Sequence, residues 1–301
     1  MHQFKAPAIP GTFETDVAKN RAAVKYLFDQ GKLAVVRSAT KKPKATSTNK
    51  AAAAKDKKPE NFPDTWKNFK AALSAAQHGK CGFCEGRAIG QGFGEVEHFA
   101  PKGEIQALGD DEKTWGVELP HLSNVKGRTT TPVSATGYWW LAYKWDNYLL
   151  ACSICNGQWK RSIFPIKERR AAPPALGDQE THYLLNPFHG ADPKDHLEFG
   201  PLGEVKAKTT PAGISTYGWE TIRTLGLDRP SLREQRRPVA SKIHKKIDGL
   251  ANATVARRLE LLEDIHLDGT DDQVFCGMVR AIFEQRTGIT WAQLETELTG
   301  P

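Results

Sequence analysis

The chain carries two short cysteine motifs, Cys81-Gly-Phe-Cys84 and Cys152-Ser-Ile-Cys155, and the rest of the sequence is organised around them. Two intervening residues let a tight turn present both sulfur atoms of a pair on one side, so two pairs can surround one zinc ion at about 2.3 Å. Disulfide bonds are the alternative, but they require an oxidising compartment. The sequence opens with Met-His-Gln-Phe-Lys and shows no apolar signal-peptide segment, which argues against such a compartment. The spacing of the cysteines therefore predicts a structural Zn²⁺ site.

The composition is that of a globular protein. The 301 residues are 39% hydrophobic and 9% aromatic, which is enough to bury the core of one large domain or of two ordinary ones. No run approaches the roughly 18 apolar residues that a membrane span requires. We therefore expect a cytoplasmic protein without membrane contact.

The positive charge is concentrated in one segment. The net charge is +7 and the sequence pI is about 9.1, values that point toward nucleic acid. Between Arg37 and Lys58 there are eight Lys or Arg residues against Asp56 alone, and eight minus one is seven. This segment is also rich in Ala, Thr, Ser and Pro, so residues 37–62 are interpreted as a basic linker or loop. A solvated spacer and a phosphate-binding arm both fit this composition.

Helical patterns precede and follow this linker. In the N-terminal segment, residues 1–36, a helix is predicted over Thr15–Gln30 with Thr15 as its cap, and a short strand over Leu33–Val36. After the linker, Asp64 is expected to cap a second helix. One face of that helix carries a predicted core stripe: Trp66, Phe69 and Leu73.

The C-terminal region, residues 231–301, has an apolar repeat typical of several helices, with Thr290 capping the last one. Its outer face is predicted to be basic. The residues assigned to this face are Arg233, Arg236, Arg237, Lys242, Lys245, Lys246, Arg257 and Arg258. Such a face could follow a nucleic-acid backbone, dock an acidic partner, or simply be solvated.

Two further segments are assigned to loops and short strands. Residues 103–136 are rich in Gly, Thr, Pro and Asp and are interpreted as an inserted loop, and residues 171–230 as an extension of loops and short strands. The extension contains three histidines and two aspartates that could suggest a second metal site: His182, His189, His196, Asp192 and Asp195. Their irregular spacing among Pro and Gly favours turn chemistry.

Glu97 and His98 lie between the two cysteine motifs, where Gly94 and Pro101 bracket a short strand that ends at this pair. In a regular strand the two side chains point to opposite sides, so a bend or loop is needed to bring them together. Metal-assisted hydrolysis requires a carboxylate that holds a hard cation and an imidazole that takes a proton from water. Taken alone the pair is a weak signal, and a solvated strand end explains it better.

A second group of polar residues surrounds the second cysteine motif. Asn147 precedes a strand-like Tyr-Leu-Leu, and Asn156 directly follows the last cysteine and opens a predicted short helix. That helix also carries Lys160 and Arg161. The aromatic run before the motif is interpreted as core packed over the cysteine turns.

Together these motifs resemble the HNH endonuclease family, whose active unit is a small ββα-metal fold. More specifically, they resemble the HNH proteins that are paired with an ATPase in Septu-type bacterial anti-phage systems and in some retrons. The resemblance is carried by Cys-x-x-Cys-Glu, Glu-His-Phe-x-Pro-Lys, Trp-x-Asn-x-Leu-Leu-x-Cys-x-x-Cys-Asn and Phe-Pro. It extends from Trp66 to about Pro165, and more faintly to Leu227.

The resemblance implies a role for each matching residue. His98 would be the general base that activates water for attack on a phosphodiester. Glu97 and Asn156 would hold one divalent cation, Mg²⁺ or Mn²⁺, and Asn147 would brace the loop that orients the imidazole. Three nearby basic residues are candidate phosphate contacts: Lys102, Lys160 and Arg161. The resemblance also implies an ATPase partner and a nucleic-acid substrate, with DNA favoured over RNA.

Two positions depart from the family pattern. Glu97 stands where many HNH enzymes have Asp, so its longer side chain must fold differently or reach the metal through water. Asn156 stands at the final position in place of His, and an amide oxygen favours a hard ion over catalytic zinc. Two distinct metals are therefore expected, zinc on sulfur and a second divalent ion on oxygen.

The sequence thus predicts an α+β protein, mostly helical, with a ββα-metal HNH nuclease core over residues 63–170. A Cys₄ zinc site would support the core, and N- and C-terminal helices would flank it. The predicted function is metal-dependent phosphodiester hydrolysis as the effector of a bacterial anti-phage defence system. The alternatives are an RNA (tRNA) nuclease of the same fold and a non-catalytic zinc module that binds nucleic acid or a partner protein.

Overall fold

The computed structural model describes residues 1–33, 62–88, 94–109, 130–134, 136–166 and 182–299. In these ranges the chain forms seven α-helices and eight short strands, and the strands pair as four separate two-stranded antiparallel sheets. The coarse prediction of an α+β protein is confirmed. The basic linker up to residue 61 and the predicted strand beyond Leu33 lie outside the described residues.

The helices and strands are numbered in the order in which they occur along the chain. The α-helices are α1 (Phe13–Asp29), α2 (Lys70–Ala76), α3 (Thr216–Leu225), α4 (Pro230–Leu250), α5 (Val255–Asp268), α6 (Cys276–Thr287) and α7 (Trp291–Thr299). The strands are β1 (Glu95–His98), β2 (Ile105–Leu108), β3 (Thr130–Ser134), β4 (Tyr148–Ala151), β5 (Leu197–Phe199), β6 (Val205–Ala207), β7 (Thr209–Thr210) and β8 (Gly213–Ile214). A π-helical segment, Ile154–Lys160, follows β4.

The region of the predicted site is built from β1, β4 and the segment Ile154–Lys160. β1 pairs with β4 in antiparallel register, with Glu97 opposite Leu149 and His98 opposite Tyr148. The predicted strand that ends at Glu97-His98 and the predicted strand that follows Asn147 are both confirmed. β4 runs directly into the second cysteine motif, and the helical segment then brings its side chains back toward β1.

Aromatic side chains join the N-terminal helix to this unit. Phe13 of α1 lies 5.0 Å from Phe69 and 5.4 Å from Trp145, measured between ring centroids. Trp66, Phe69 and Leu73 are all buried, which confirms the predicted core stripe. The N-terminal helix is therefore part of the same core as the β1–β4 pair.

Two helix starts differ from the prediction. α1 begins at Phe13, before the expected cap Thr15, because Phe13 is anchored in the aromatic core. Asp64 precedes a 3₁₀ turn at Thr65–Phe69, but its carboxylate pairs with Lys67 and makes no side-chain capping hydrogen bond. In both places a side-chain contact overrides the expected capping role.

The ends of the predicted inserted loop are strands. β2 and β3 pair antiparallel, with a bulge between Ile105 and Gln106. The backbone of Gln106 also bonds to Ser162 and Phe164, at 2.9 and 3.0 Å. The local composition favoured a loop. It could not reveal the two strands, because their hydrogen bonds join segments that are distant in sequence. Residues 110–129 and 135 lie outside the described residues.

The predicted helical C-terminal region is confirmed by α4 to α7, and Thr290 caps α7 by accepting a hydrogen bond from the Gln293 backbone at 3.2 Å. One basic residue does not lie on the outer face. Arg236 is buried, donates to the Leu227 carbonyl at 2.6 Å, and lies over the ring of Phe199. No helix in the described part of the chain is long and apolar enough to cross a membrane.

Candidate active site and four-cysteine metal site

The four cysteines of the two motifs form one cluster. Their sulfur atoms all lie within 4.8 Å of one another, and Cys84 Sγ is 4.0 Å from Cys152 Sγ. Tetrahedral coordination with Zn–S bonds of about 2.3 Å places the sulfurs roughly 3.8 Å apart, so the observed spacing fits zinc. All five cysteines of the chain are free thiols, which excludes the disulfide alternative in this structure.

The surroundings of the cluster also suit a thiolate-bound cation. The Cys155 backbone N–H donates to Cys152 Sγ at 3.4 Å, as expected for a cysteine turn that wraps around a metal. Hydrogen bonds from the other three thiols are the main reason that the pKa of Cys84 is held well below its usual value, and the charge of Arg229 adds to the effect. A hydrogen bond from Cys155 likewise lowers the pKa of Cys152, whereas burial raises the pKa of Cys81 and a hydrogen bond to Cys152 raises that of Cys155. Without a cation, the negative charge of the cluster is therefore favoured on Cys84 and Cys152.

Arg229, which the sequence did not single out, contacts this cluster from the C-terminal region. Its two terminal nitrogens each lie 3.6 Å from Cys155 Sγ, and Nη1 also donates to the carbonyls of Leu225 and Gly226. The side chain is almost completely buried. No local pattern could have revealed it, because Arg229 is far from Cys155 in sequence.

His98 lies at the end of β1 with one ring nitrogen bound to the backbone. Nε2 is 2.9 Å from the Ala142 carbonyl, which can only accept, so Nε2 carries the hydrogen and Nδ1 carries the lone pair. Burial is the main reason that the pKa of His98 is held well below its usual range, and the charges of Lys102 and Lys160 add to it. The imidazole is therefore neutral, as a general base must be.

The surroundings of His98 restrict access to the ring. The side chain is 4% exposed and packs edge-on against Trp66 and Tyr148. Lys102 Nζ lies 3.4 Å from Nδ1 and 4.3 Å from the centroid of the Trp66 ring. Nδ1 of His98 thus faces the ammonium group of Lys102. A phosphate bound beside Nδ1 would find its counter-charge in that ammonium group.

Asn147 fixes the turn that follows His98. Its Oδ1 accepts from the Ala100 backbone at 2.8 Å, and its Nδ2 donates to the carbonyls of Ala100 and Leu141, both at 3.1 Å. The Asn147 carbonyl also accepts from the Phe99 backbone at 2.9 Å. These bonds tie the end of β1 to the start of β4, which is the bracing position that the resemblance implied.

Glu97 and His98 point in opposite directions. The regular pairing of β1 with β4 continues through both residues, so no bend turns the carboxylate toward the imidazole. His98 faces Trp66 and Tyr148, whereas Glu97 faces the helical segment, where Lys160 Nζ donates to Glu97 Oε1 at 2.5 Å. The two neighbouring side chains therefore lie on opposite faces of the strand.

Asn156 contacts a different carboxylate. Its Nδ2 donates to Glu95 Oε2 at 2.6 Å, which leaves the amide oxygen for another partner. Glu95 and Glu97 are two residues apart on β1 and therefore lie on the same face, toward Asn156 and Lys160. Two carboxylates and an amide oxygen are ligands that suit Mg²⁺ or Mn²⁺. Side chains two residues apart in a strand share a face, so the sequence could have indicated that Glu95 lies beside Glu97. Only the structure shows the contact of Glu95 with Asn156.

The three candidate phosphate contacts differ in position. Arg161 is exposed and Lys102 is partly buried beside His98. Lys160 is completely buried, so it does not offer its ammonium to a phosphate on the surface. Its two acceptors are Glu97 Oε1 and the His98 carbonyl, the latter at 3.0 Å.

Among the described residues, the histidines and aspartates of the extension do not form a group that could hold a metal ion. Asp192 caps a turn by accepting from the Lys194 backbone at 3.1 Å. His182 packs against the rings of Phe99 and Phe164.

A third polar cluster lies under the first cysteine motif. His2, Asp271 and Cys276 are close enough to share an ion, but each already has a charged partner. His2 pairs with Glu85, Asp271 accepts from Arg280 at 2.7 Å, and Lys80 donates to Cys276 at 3.1 Å. We interpret this cluster as a buried ion-pair network.

Comparison with known proteins gives one informative similarity. No family model and no solved structure matches the chain. The Septu protein PtuB of Bacillus mycoides (strain KBAB4) is 32% identical over 204 residues, which are 66% of this chain and 61% of that protein. The chain therefore spans about three fifths of the length of this curated relative, and over most of its own length it is similar to a Septu protein.

Proposed function

We propose that the chain is a metal-dependent HNH endonuclease that hydrolyses phosphodiester bonds, with DNA as the favoured substrate. The observation that carries the proposal is the unit formed by β1, β4 and Ile154–Lys160. Its strands present a neutral histidine whose basic nitrogen faces a lysine, and its helix faces two carboxylates. A four-cysteine cluster supports the unit, with Cys81 and Cys84 before β1 and Cys152 and Cys155 after β4.

The chain's own residues supply the chemistry as follows. His98 Nδ1 takes a proton from the attacking water, and the Nε2–H bond to the Ala142 carbonyl holds the ring in the required tautomer. Asn147 keeps the turn after His98 in place, and Lys102 binds the phosphate beside Nδ1. Glu95, Glu97 and Asn156 would hold Mg²⁺ or Mn²⁺, which supplies charge stabilisation to the phosphate and the leaving oxygen.

The cellular role is proposed from the likeness of this sequence to Septu proteins. The cysteine and Glu-His motifs resemble HNH proteins of Septu-type systems, and the curated relative is itself a Septu protein. We propose that the chain is an effector of anti-phage defence and that it works with an ATPase partner, as the resemblance implies.

Two observations favour a second candidate function. His98 is almost completely buried, and Glu97 already has a cationic partner in Lys160. Both features suit a non-catalytic zinc module that binds nucleic acid or a partner protein. An RNA nuclease of the same fold is the remaining alternative, because DNA and RNA offer the same scissile group.

The test is cleavage of plasmid DNA, single-stranded DNA and a tRNA pool by the wild-type chain and by His98→Ala. Each reaction is run with Mg²⁺, with Mn²⁺ and without added divalent ion, and the zinc content is measured before and after. Wild type should cleave only with added metal, and His98→Ala should lose at least about 100-fold in rate. The substrate that is cut separates DNA from RNA.

A matched control is His182→Ala, which removes another largely buried histidine that packs against aromatic rings. It should retain cleavage, and both variants should keep their zinc and nearly unchanged thermal unfolding. Nucleic-acid binding without cleavage, by the chain alone and with its ATPase partner and ATP, would support the non-catalytic module instead.

A further inference from the structure

Lys160 is completely buried at the end of the helical segment Ile154–Lys160. Its ammonium donates to Glu97 Oε1 at 2.5 Å and to the His98 carbonyl at 3.0 Å. A lysine is almost never fully buried unless its charge is paired, so these two contacts explain why it is tolerated. Both contacts involve residues of the proposed active site.

We propose that Lys160 is a positioning residue that holds Glu97 and the end of β1 in the geometry needed for catalysis. This inference rests on the proposed function. Lys160 occupies Glu97 Oε1, which leaves Oε2 as the carboxylate oxygen that can face a divalent cation. Through the His98 carbonyl it also ties the strand that bears the general base to the helix that bears Asn156.

The same contact has an electrostatic consequence. A fixed positive charge beside Glu97 repels a divalent cation that approaches the same carboxylate. Because Lys160 is completely buried, water screens this repulsion only weakly, and metal binding should be weaker by about tenfold or more. Lys160 therefore lowers metal affinity while it keeps the site in order.

This sign distinguishes the proposal from a merely structural role. If Lys160 only stabilised the fold, its removal would loosen the ligands and weaken metal binding. If Lys160 restrains Glu97 Oε1 and repels the ion, its removal should free both carboxylate oxygens for the ion. Metal binding should then strengthen, but in a geometry that slows the reaction.

The experiment measures Mn²⁺ binding by the electron paramagnetic resonance signal of free Mn²⁺ in full-length chain that carries His98→Ala, so that no turnover occurs. It is done at pH 8.5, where carboxylates are ionised. Lys160→Met should bind Mn²⁺ about tenfold more tightly than the parent, and Lys160→Arg should bind like the parent because the charge is kept. With His98 restored, Lys160→Met should show a lower kcat at saturating metal.

Lys160→Gln is a second variant that removes the charge but can still bond to Glu97 and to the His98 carbonyl, in case Lys160→Met does not fold. Unchanged or weaker Mn²⁺ binding by either folded, uncharged variant would overturn the proposal. The variant Glu97→Gln distinguishes a failure of the proposal for Lys160 from a failure of the proposed metal site. If it leaves Mn²⁺ binding of the parent unchanged, the ion does not use Glu97, and the proposed metal site falls together with the inference.

Discussion

Glu85, the residue after Cys84, shows how one buried carboxylate connects distant parts of the chain. It accepts from the Met1 amino group at 2.9 Å, from His2, and from the Gly277 backbone at 3.1 Å. Glu85 also adopts a left-handed backbone conformation with φ of 61°, so the fold keeps it in place at some conformational cost.

His2 should make the stability of the protein depend on pH. Burial alone would lower the pKa of His2, but the charge of Glu85 and hydrogen bonds to Asp271, Cys276 and Glu85 raise it to about 10. In the unfolded chain the pKa is near 6.5. The stabilisation is therefore complete below pH 6.5 and is lost as the pH rises toward 10.

The measurement is urea unfolding of wild type and His2→Gln at pH 6, 8 and 9.5. At pH 6 the substitution should lower the free energy of unfolding by roughly 2–4 kcal/mol, because it leaves Glu85 short of a buried partner. The difference should shrink as the pH rises. His189→Gln, at an exposed histidine, is the control and should show no trend. A difference that is constant with pH would show that His2 is not charged in the folded protein.

At the scale of elements, the junction between α3 and α4 is packed onto the segment Ile154–Lys160. Gly226 ends α3 in a left-handed conformation, with φ of 58°. A Cβ atom at this position would lie 2.1 Å from the Trp159 ring, so only glycine fits. The close approach brings Arg229 to the sulfur of Cys155.

Replacing Arg229 should weaken zinc binding. Its guanidinium offsets the negative charge of the thiolates and donates to Cys155 Sγ through both terminal nitrogens. Loss of an outer partner of this kind typically costs 10- to 100-fold in metal affinity, and we expect that range for Arg229→Met. The measurement is competition for zinc with a chromogenic chelator.

Arg233→Met is the matched control, because Arg233 lies on α4 and pairs with Asp228, not with the cysteines. It should retain wild-type zinc affinity. Arg229→Lys keeps the charge without the planar fork, so its affinity should fall between those of wild type and Arg229→Met. Equal zinc affinity in all four proteins would mean that Arg229 serves only the packing of α3 and α4.

The elements that the sequence revealed are those that depend on local pattern. Three features follow from periodicity, bracketing residues and capping chemistry: the core stripe of Trp66, Phe69 and Leu73, the strand that ends at His98, and the cap at Thr290. The β2–β3 pair and the burial of Arg236 depend on contacts between distant segments, which no local pattern records.

The candidate site divides in the same way. The four cysteines were predicted as one cluster because their spacing is itself the signal. The Glu97–Lys160 pair and the contact of Arg229 with Cys155 could not be predicted, because each depends on how a helix is placed against the β1–β4 unit. Placement of this kind is decided by packing, not by residue type.

At the scale of the whole molecule, the four-cysteine cluster lies within one continuous hydrophobic core. That core includes side chains from the N-terminal helix, such as Phe13, from the β1–β4 unit, such as Leu150, and from the last helix, such as Leu294. A core shared in this way should unfold as one cooperative unit. Loss of zinc should therefore affect distant helices and not only the two cysteine turns.

Cys155→Ser should release zinc and unfold the protein as a whole, because the binding free energy of a structural zinc site contributes directly to folding. Cys276→Ser is the matched control: it replaces another buried cysteine that belongs to the ion-pair network and not to the four-cysteine cluster. Zinc content and circular dichroism of both variants would be compared with wild type. Cys276→Ser should keep one zinc ion per chain and most of its helical signal. A Cys155→Ser protein that lacks zinc yet retains the full helical signal would show that the shared hydrophobic core holds the fold together without the metal.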